Sequence, residues 1–518
     1  MSRSLSEMLR NSLKKEDKKS PPHVMITARA GCGKTSTLVK GVCRMRGIGY
    51  TFKPTDEEKF IWDLISESAD AKSIHFSAFN ASVVNKIKAE IEDAPGITAS
   101  TTHATGFKSI KSRYPNAEVN RPKTSQIIKE IVEKSMSTHS REVKSWTYRA
   151  VRDTVSLCKT SLVDVSEEKN IAAIYEKYGF LSSMKIQEKR FCELVQHTML
   201  LSLDVKKYGF DDDDMVWIPV IKNLLLPKYD LLLVDEAQDL SEAQQALLLR
   251  CGRRLILCGD PRQSIYGYAG VSDESMNKML LRLNERGEAV VYAKLTQSWR
   301  CSKEVIKHAQ QFVPDIRARE DAEDGEVHTL VCGGRSFSET FSDYAEVKEG
   351  DLIICRFNYP LIKICYFLIK KGLKVRLMGK NVFSHLTSFV NMTDFRSSET
   401  LLESLHRQLL WMTRNSDERK SSHFHDLFSC LEEIVLRRGI NSKSRLLFVL
   451  SGLFDKNEDE EAVRLGSIHS VKGLEAERVY FLLPDYRQAR EDWEIQQDLN
   501  LHYVGVTRAK STLVYVKE

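Results

Sequence analysis

The sequence predicts an α/β protein of two lobes with parallel sheets, each lobe interrupted by a mainly helical insertion. Three observations carry that expectation. Short apolar runs of strand length recur at 24–27, 74–79, 231–234 and 255–258, and a second set recurs at 351–355, 373–378, 463–468, 479–483 and 512–516. Two runs of the first set lead directly into turns rich in glycine or acid, which is where open α/β sheets hold ligands. Within each set the pattern then changes to helical spacing. Ile127, Ile128, Ile131 and Val132 share one face, as do Leu401, Leu405 and Leu409 and then Leu427, Leu431, Ile434 and Val435.

In chain order, the first lobe is expected over 1–106, a helical insertion over 107–215, and the return of the first lobe over 216–290. The second lobe is expected over 291–385, a small helical insertion over 386–460, and the rest of the second lobe over 461–518. The acidic stretch 455–461 leads back into strand-like sequence, and the opening segment with Lys14, Lys15, Lys18 and Lys19 reads as polar and mobile.

At 518 residues, 42% hydrophobic and 29% charged, the chain can bury the cores of several units, which sets disordered classes aside. No apolar run approaches the roughly 20 residues that span a bilayer. The N-terminus lacks a signal-like apolar core, so the expected location is the cytoplasm, or the nucleus in a eukaryote, with no membrane partner. Eleven cysteines, an odd number without a CxxC pair, point to reduced thiols rather than disulfides or zinc. The formal net charge of +6 suits a polyanionic partner without selecting one.

The most specific local signal follows the first strand. Ala28-Arg29-Ala30-Gly31-Cys32-Gly33-Lys34-Thr35 has the P-loop arrangement, with Ala28 in place of its usual first glycine. Glycines let the backbone fold so that N–H groups point at phosphates, and the helix N-terminus adds favourable potential. Ala30, Gly31, Cys32, Gly33, Lys34, Thr35 and Ser36 are therefore candidate ATP contacts. Lys34 would reach the β/γ-phosphates and Thr35 would ligate Mg²⁺. The run Leu231-Leu232-Leu233-Val234 ends in Asp235 and Glu236. Adjacent acids at a strand end place one carboxylate, Asp235, for the metal and the other, Glu236, for general-base or water-positioning work.

With DEAQD at 235–239, the chain from residue 24 to its C-terminus resembles the superfamily 1 DNA helicases of the UvrD/Rep type. The resemblance rests on GDPRQSIYGYAG (259–270), LTQSWRC (295–301), CRFN (355–358), SIHSVKGLE (467–475) and YVGVTRAK (503–510), which occur in the family's order. AFNASVVNKIKAEI (78–91), TTHATGF (101–107) and FDDDDMVWIP (210–219) resemble its F-box and phage-like branch. The resemblance implies two RecA-like P-loop lobes and an ATP hydrolase stimulated by DNA. It further implies that Gln263 is the γ-phosphate sensor, that Arg300 and Arg508 are arginine fingers, that Trp299 stacks on the base and that Glu475 is a ribose or site-coupling acid. A guanidinium suits the finger role because it stabilises the spread charge of phosphoryl transfer.

For the nucleic-acid track, the resemblance implies contacts from Phe79, Asn80, Thr101, His103, Tyr266 and Tyr268 in the first lobe, and from Asn358 and His469 in the second. Aromatic stacking and backbone contacts would give a sequence-tolerant grip on single-stranded DNA and its junctions with duplex. The chain departs from the family in three places. No glutamine precedes the P-loop, since the first in the chain is Gln126; Ala269 stands where an arginine is usual; and Ser36 replaces a frequent arginine. The Asp211, Asp212, Asp213, Asp214 run reads as a solvated turn rather than a metal site, and His75 as structural.

The function so implied is an ATP-dependent DNA helicase moving 3′ to 5′, with hydrolysis at the two-lobe interface driving strand separation. The alternative is a single-strand translocase or protein-displacing ATPase with little unwinding, suggested by a second insertion of about 75 residues.

Overall fold

The computed structural model describes residues 21–48, 53–91, 94–177, 185–267, 274–344, 346–371, 373–378, 380–395, 398–414, 418–453, 462–484 and 492–518. The chain divides into two compact units: 33–295 with the segment up to Arg29, and 296–518 with the short stretch 30–32. Among the described residues no helix is long and apolar enough to cross a membrane.

The first unit is built on six strands: β1 (His23–Ala28), β2 (Ile74–Ala78), β3 (Ile97–Thr101), β4 (Tyr229–Val234), β5 (Gly252–Gly259) and β6 (Val290–Leu295). Their order is β3-β2-β4-β5-β1-β6, and every pairing is parallel, with Val24 opposite Ile256, Ile74 opposite Leu231 and Ala78 opposite Thr101. The inner strands are apolar runs because both faces are covered. Leu231, Leu232, Leu233 and Val234 are fully buried, as are Ile26 and Ile256. At about 25 cal/mol per Å² of apolar area, each such side chain contributes roughly 1.5–3 kcal/mol.

The helical insertion has a core of its own. Ile127, Ile128, Ile131 and Val132, on helix Lys123–Ser135, pack with Val151 and Val155 of helix Arg141–Thr160 and Phe191 and Val195 of helix Glu188–Ser202. The expected apolar face is thus the buried one. Ser140 caps the second of these helices by accepting from the Val143 N–H.

The 211–214 run is a correction. Only Asp212 is exposed; Asp211 and Asp214 are buried. Lys123 Nζ lies 2.6 Å from Asp214, and Lys159 Nζ lies 2.9 Å from Asp214 and 3.4 Å from Asp211, with both lysine side chains fully buried. Thr124 donates to Asp211 and Ser156 to Asp213. Burial opposes charge on both lysines. It prevails at Lys123, whose pKa is lowered, whereas two carboxylates prevail at Lys159, whose pKa is raised. The lysines sit 91 and 52 residues from their acids, so local composition could not reveal the pairing.

The second unit opens with two short paired strands, β7 (Gln297–Ser298) and β8 (Arg317–Ala318). Its main sheet comprises β9 (Glu326–Val331), β10 (Leu352–Cys355), β11 (Val375–Met378), β12 (Val463–Ser467), β13 (Ala476–Leu483) and β14 (Ala509–Lys517). The order is β11-β12-β10-β13-β14-β9, again parallel throughout. Leu405, Leu409, Leu431 and Ile434, from helices Leu401–Arg414 and Glu418–Arg438, share one core with Ile353, Leu465, Leu482 and Val516.

Element ends move some expected boundaries. β6 pairs with β1 across all of its length, so the first unit runs to Leu295 and not to 290. Helices Thr102–Arg113, Asp214–Ile221 and Lys380–Met392 cross the boundaries expected at 106/107, 215/216 and 385/386. The stretch 455–460, Glu461 and the opening lysines lie outside the described residues.

Candidate nucleotide site and strand-contact residues

In the first unit, three adjacent strands, β4, β5 and β1, deliver the nucleotide-site side chains at their C-terminal ends. Behind β1, Gly31 and Gly33 take φ of +70° and +71°, a left-handed conformation that an L side chain resists. That pair of turns brings the chain from strand to helix Lys34–Met45 within a few residues. Ala30 and Cys32 are buried in the turn, the Cys32 thiol facing the Ala30 carbonyl, and Ser36 is half-buried in the first helical turn.

Lys34 Nζ lies 3.3 Å from Glu236 Oε2. Burial disfavours its charge, but Glu236, Asp260 and Asp235 outweigh that penalty and hold its pKa above the ordinary lysine value. Lys34 is therefore a fixed cation. Thr35 donates its hydroxyl proton to Asp235 Oδ2. Burial and the neighbouring Glu236 push the Asp235 pKa up to about 6. Glu236 has φ +53° and ψ +43°, a left-handed backbone at a non-glycine residue. Such geometry costs about 1–3 kcal/mol and persists where the surroundings enforce it, often at functional sites.

A polar network ties these acids to Gln263. The Gln238 amide donates to Glu236 at 2.5 Å and its carbonyl oxygen accepts from the Asp260 N–H at 3.0 Å. Asp260 in turn accepts from Gln263 Nε2 at 2.8 Å and from Arg29 Nη1 at 3.0 Å. Gln238 and Asp260 are both fully buried. Gln238, Asp260 and Arg29 were absent from the candidates read from sequence. Gln238 and Asp260 lie inside the DEAQD and GDPRQ blocks, and Arg29 inside the P-loop segment, which was the available signal. The structure thus brings Lys34, Thr35, Asp235, Glu236 and Gln263 into one connected group.

The second unit holds a separate group. Arg300 Nε lies 2.5 Å from Glu475 Oε2, and its Nη1 donates to the Thr507 carbonyl at 3.1 Å. Burial opposes charge on Glu475, but Arg300 foremost, then Lys510 and Arg508, hold its carboxyl below the usual range. Arg508 is 2% exposed and donates to the carbonyls of Val504, at 2.9 Å, and Leu474, at 3.1 Å. Trp299 remains 38% exposed.

Among the described track candidates, Phe79 and Thr101 lie at the C-terminal ends of β2 and β3. Phe79, directly after β2, is exposed and stacks on Tyr266 with ring centroids 5.7 Å apart. Asn80 accepts from the Val83 N–H, and Thr101, at the end of β3, accepts from the Ala104 N–H. Both oxygens thus serve helix starts. His103 is half-buried; burial outweighs the attraction of Asp212 and lowers its pKa, so it is neutral at pH 7. Tyr268 and Ala269 lie outside the described residues. In the second unit, Asn358 and His469 follow β10 and β12, neighbouring strands in which Cys355 is opposite Ser467. His75 is structural: buried in β2, it bonds Thr98 and Ser100 and stacks on Tyr229.

Two family models match the chain, together over more than half of it: the UvrD/REP helicase N-terminal domain at 55–282 and the UvrD-like helicase C-terminal domain at 462–516. F-box DNA helicase 1 of Gallus gallus is 23% identical over 95% of this chain, which spans 47% of that protein. The chain thus spans less than half the length of that relative. The ATP-dependent DNA helicase PcrA of Bacillus subtilis is 20% identical over 95% of this chain and 80% of its own length. The ATP-dependent DNA helicase Rep of Buchnera aphidicola is 22% identical over 82% of this chain and 83% of its own.

Proposed function

This chain belongs to the UvrD/Rep helicase family, and from that premise we propose that it hydrolyses ATP to move along single-stranded DNA, 3′ to 5′, separating strands at junctions with duplex. The observation that supports this most is the close group of Lys34, Thr35, Asp235 and Glu236, delivered by β1 and β4, the parallel strands on either side of β5. A fixed cation facing two carboxylates is the equipment of phosphoryl transfer, in which positioning and charge stabilisation supply most of the rate. Lys34 binds the β/γ-phosphates and Glu236 orients the attacking water.

Magnesium suits the hydroxyl and carboxylate of Thr35 and Asp235, hard oxygens beside a phosphate cradle, and when bound would neutralise phosphate charge. Gln263 reports the γ-phosphate through Asp260 and Gln238, whose hydrogen bonds end on Glu236. Arg300 and Arg508 supply the guanidinium charge from the second unit in the ATP-bound state. That role requires them to exchange hydrogen bonds with Glu475, Thr507, Val504 and Leu474 for phosphate contacts. Trp299 carries the base. Phe79 and Tyr266 form a stacked platform for DNA bases, with Asn80, Thr101, His103, Tyr268, Asn358 and His469 along the same track.

The test is ATPase activity with DNA and RNA single strands, beside unwinding of 3′- and 5′-tailed duplexes. Strong stimulation by single-stranded DNA and opening of the 3′-tailed substrate are expected. No stimulation by either strand overturns the motor reading. Stimulated hydrolysis with translocation but no strand separation makes the chain a translocase, and opening of the 5′-tailed duplex alone reverses the polarity.

A further inference from the structure

We propose that Arg319 is a positioning residue for nucleobase binding: its guanidinium backs one face of Trp299 and holds the indole so that the base stacks on the other. This rests on the reading of Trp299 as the base platform. The two residues meet because β7 and β8 pair in parallel with Ser298 opposite Ala318, so the next residue of each strand, Trp299 and Arg319, emerges beside the other. The Arg319 guanidinium carbon lies 5.5 Å from the Trp299 ring centroid, within cation–π range.

Arg319 has an acidic neighbour at its side chain and an anchored backbone. Asp321 pairs with its Nε. The following turn is closed by Ala322 N–H donating to the Arg319 carbonyl, and is fastened to helix Lys303–Ala309 by Lys303 N–H to Glu323 O at 2.9 Å and Glu304 N–H to Asp324 O at 2.8 Å. Trp299 and Arg319 also border a cavity of about 200 Å³ that Ser302, Glu323, Glu477 and Lys510 complete. Lys510 lies 3.4 Å from Glu477 across this lining. The indole thus stands on a braced, charged wall and still leaves 38% of its surface open.

Bracing matters more here than it would beside a side chain that reads the base edge. The sequence has no glutamine before the P-loop, so stacking carries a larger share of base binding. A platform free to change rotamer must be ordered when the base arrives, and that ordering weakens affinity; a cation fixed on one face removes the cost beforehand. Stacking does not discriminate among purines, so the effect extends to ATP and GTP alike.

The test is steady-state hydrolysis by the full chain with saturating single-stranded DNA, using ATP and GTP. Arg319→Ala should raise KM for both nucleotides by about 3- to 10-fold, leaving kcat and the melting temperature unchanged. Arg319→Lys, which keeps the charge without the planar group, should recover part of the loss. In a Trp299→Ala background, removing Arg319 should have no further effect. If Trp299→Ala raises KM and Arg319→Ala leaves it unchanged or lowers it, the backing role is overturned and the base platform stands. An equal increase in both backgrounds also overturns it. If Trp299→Ala leaves KM unchanged, the platform reading fails, and the role of Arg319 fails with it.

Discussion

Two groups of buried carboxylates in the first unit look alike in sequence and behave differently in the fold. Asp235 and Glu236 close β4 and share one lysine, Lys34; burial first, and then the neighbouring Glu236, make Asp235 resist ionisation. Asp211 and Asp214 face two buried lysines, Lys123 and Lys159, and are further bound by Thr124 and by each other's backbone N–H. The first group offers carboxylate and hydroxyl oxygens beside a single lysine, a set that suits a cation. The second is held by lysines from two helices and fastens the insertion helices to the start of helix Asp214–Ile221, although burial still raises the pKa values of Asp213 and Asp214. The first pair thus sits against the turn that follows β1, whereas the second ties helices together.

The sharpest way to break this contrast is at the two kinds of lysine. Lys34→Ala should abolish turnover, a loss of at least about 100-fold in stimulated ATPase, while the circular dichroism spectrum is preserved. Lys159→Met should do the opposite. It should cost about 3–5 kcal/mol in chemical denaturation because it leaves the buried Asp211 without a lysine and Asp214 with Lys123 alone, while turnover at low temperature survives. Should Lys159→Met unfold at the parent's midpoint, the reading of this group as a tie between helices is wrong.

Glu236→Gln separates binding from chemistry within the first group. Nucleotide affinity should stay within a few-fold and hydrolysis should fall about 100-fold or more; near-normal turnover would remove Glu236 from its assigned role. The smallest effect is in pH dependence. The folded Asp235 carboxyl titrates near 6, above its ordinary value of 3.8, so the folded state holds its proton more tightly and stability is lost as pH rises through that window. Without metal or nucleotide, Asp235→Asn should therefore melt higher than the parent at pH 7, the gap closing as pH falls below about 6. The Asp211 pKa is shifted the other way: burial opposes its charge, yet Lys159 and Thr124 prevail and lower it. Its stabilising contribution is present at neutral pH and lost on acidification, so Asp211→Asn should melt lower than the parent at pH 7.

What could be read from the sequence follows burial closely. The central strands β4, β5 and β10 announce themselves as apolar runs because both faces and both edges are covered. Strands β3, β6 and β9, which the sequence does not announce, are edge strands of their sheets, and so is β11, which it does; the two-residue β7 and β8 are too short to show as runs. β9 has no buried residue, only Val327 and Leu330 being half-buried, and β3 carries Thr98 and Ser100, which bond His75 instead of packing as hydrocarbon. An edge has one partner and wetter surroundings, so a continuous apolar run is not required of it.

The same division holds at the sites. Lys34 with Thr35, and Asp235 with Glu236, could be assigned from sequence because each pair is contiguous and its chemistry is set by strand-to-turn geometry within a few residues. The roles of Gln238 and Asp260 as a bridge to Gln263, the burial of Arg508, and the contact of Arg319 with Trp299 depend on residues brought together from separate segments. Local spacing and burial period encode the two parallel-sheet units, the turn after β1 and the adjacent acids that close β4. Only the tertiary structure decided which charges are matched, which are left for a ligand, and which side chains hold the others in place. Charge balance and side-chain support are sums over neighbours in space, and most of those neighbours lie tens of residues away along the chain.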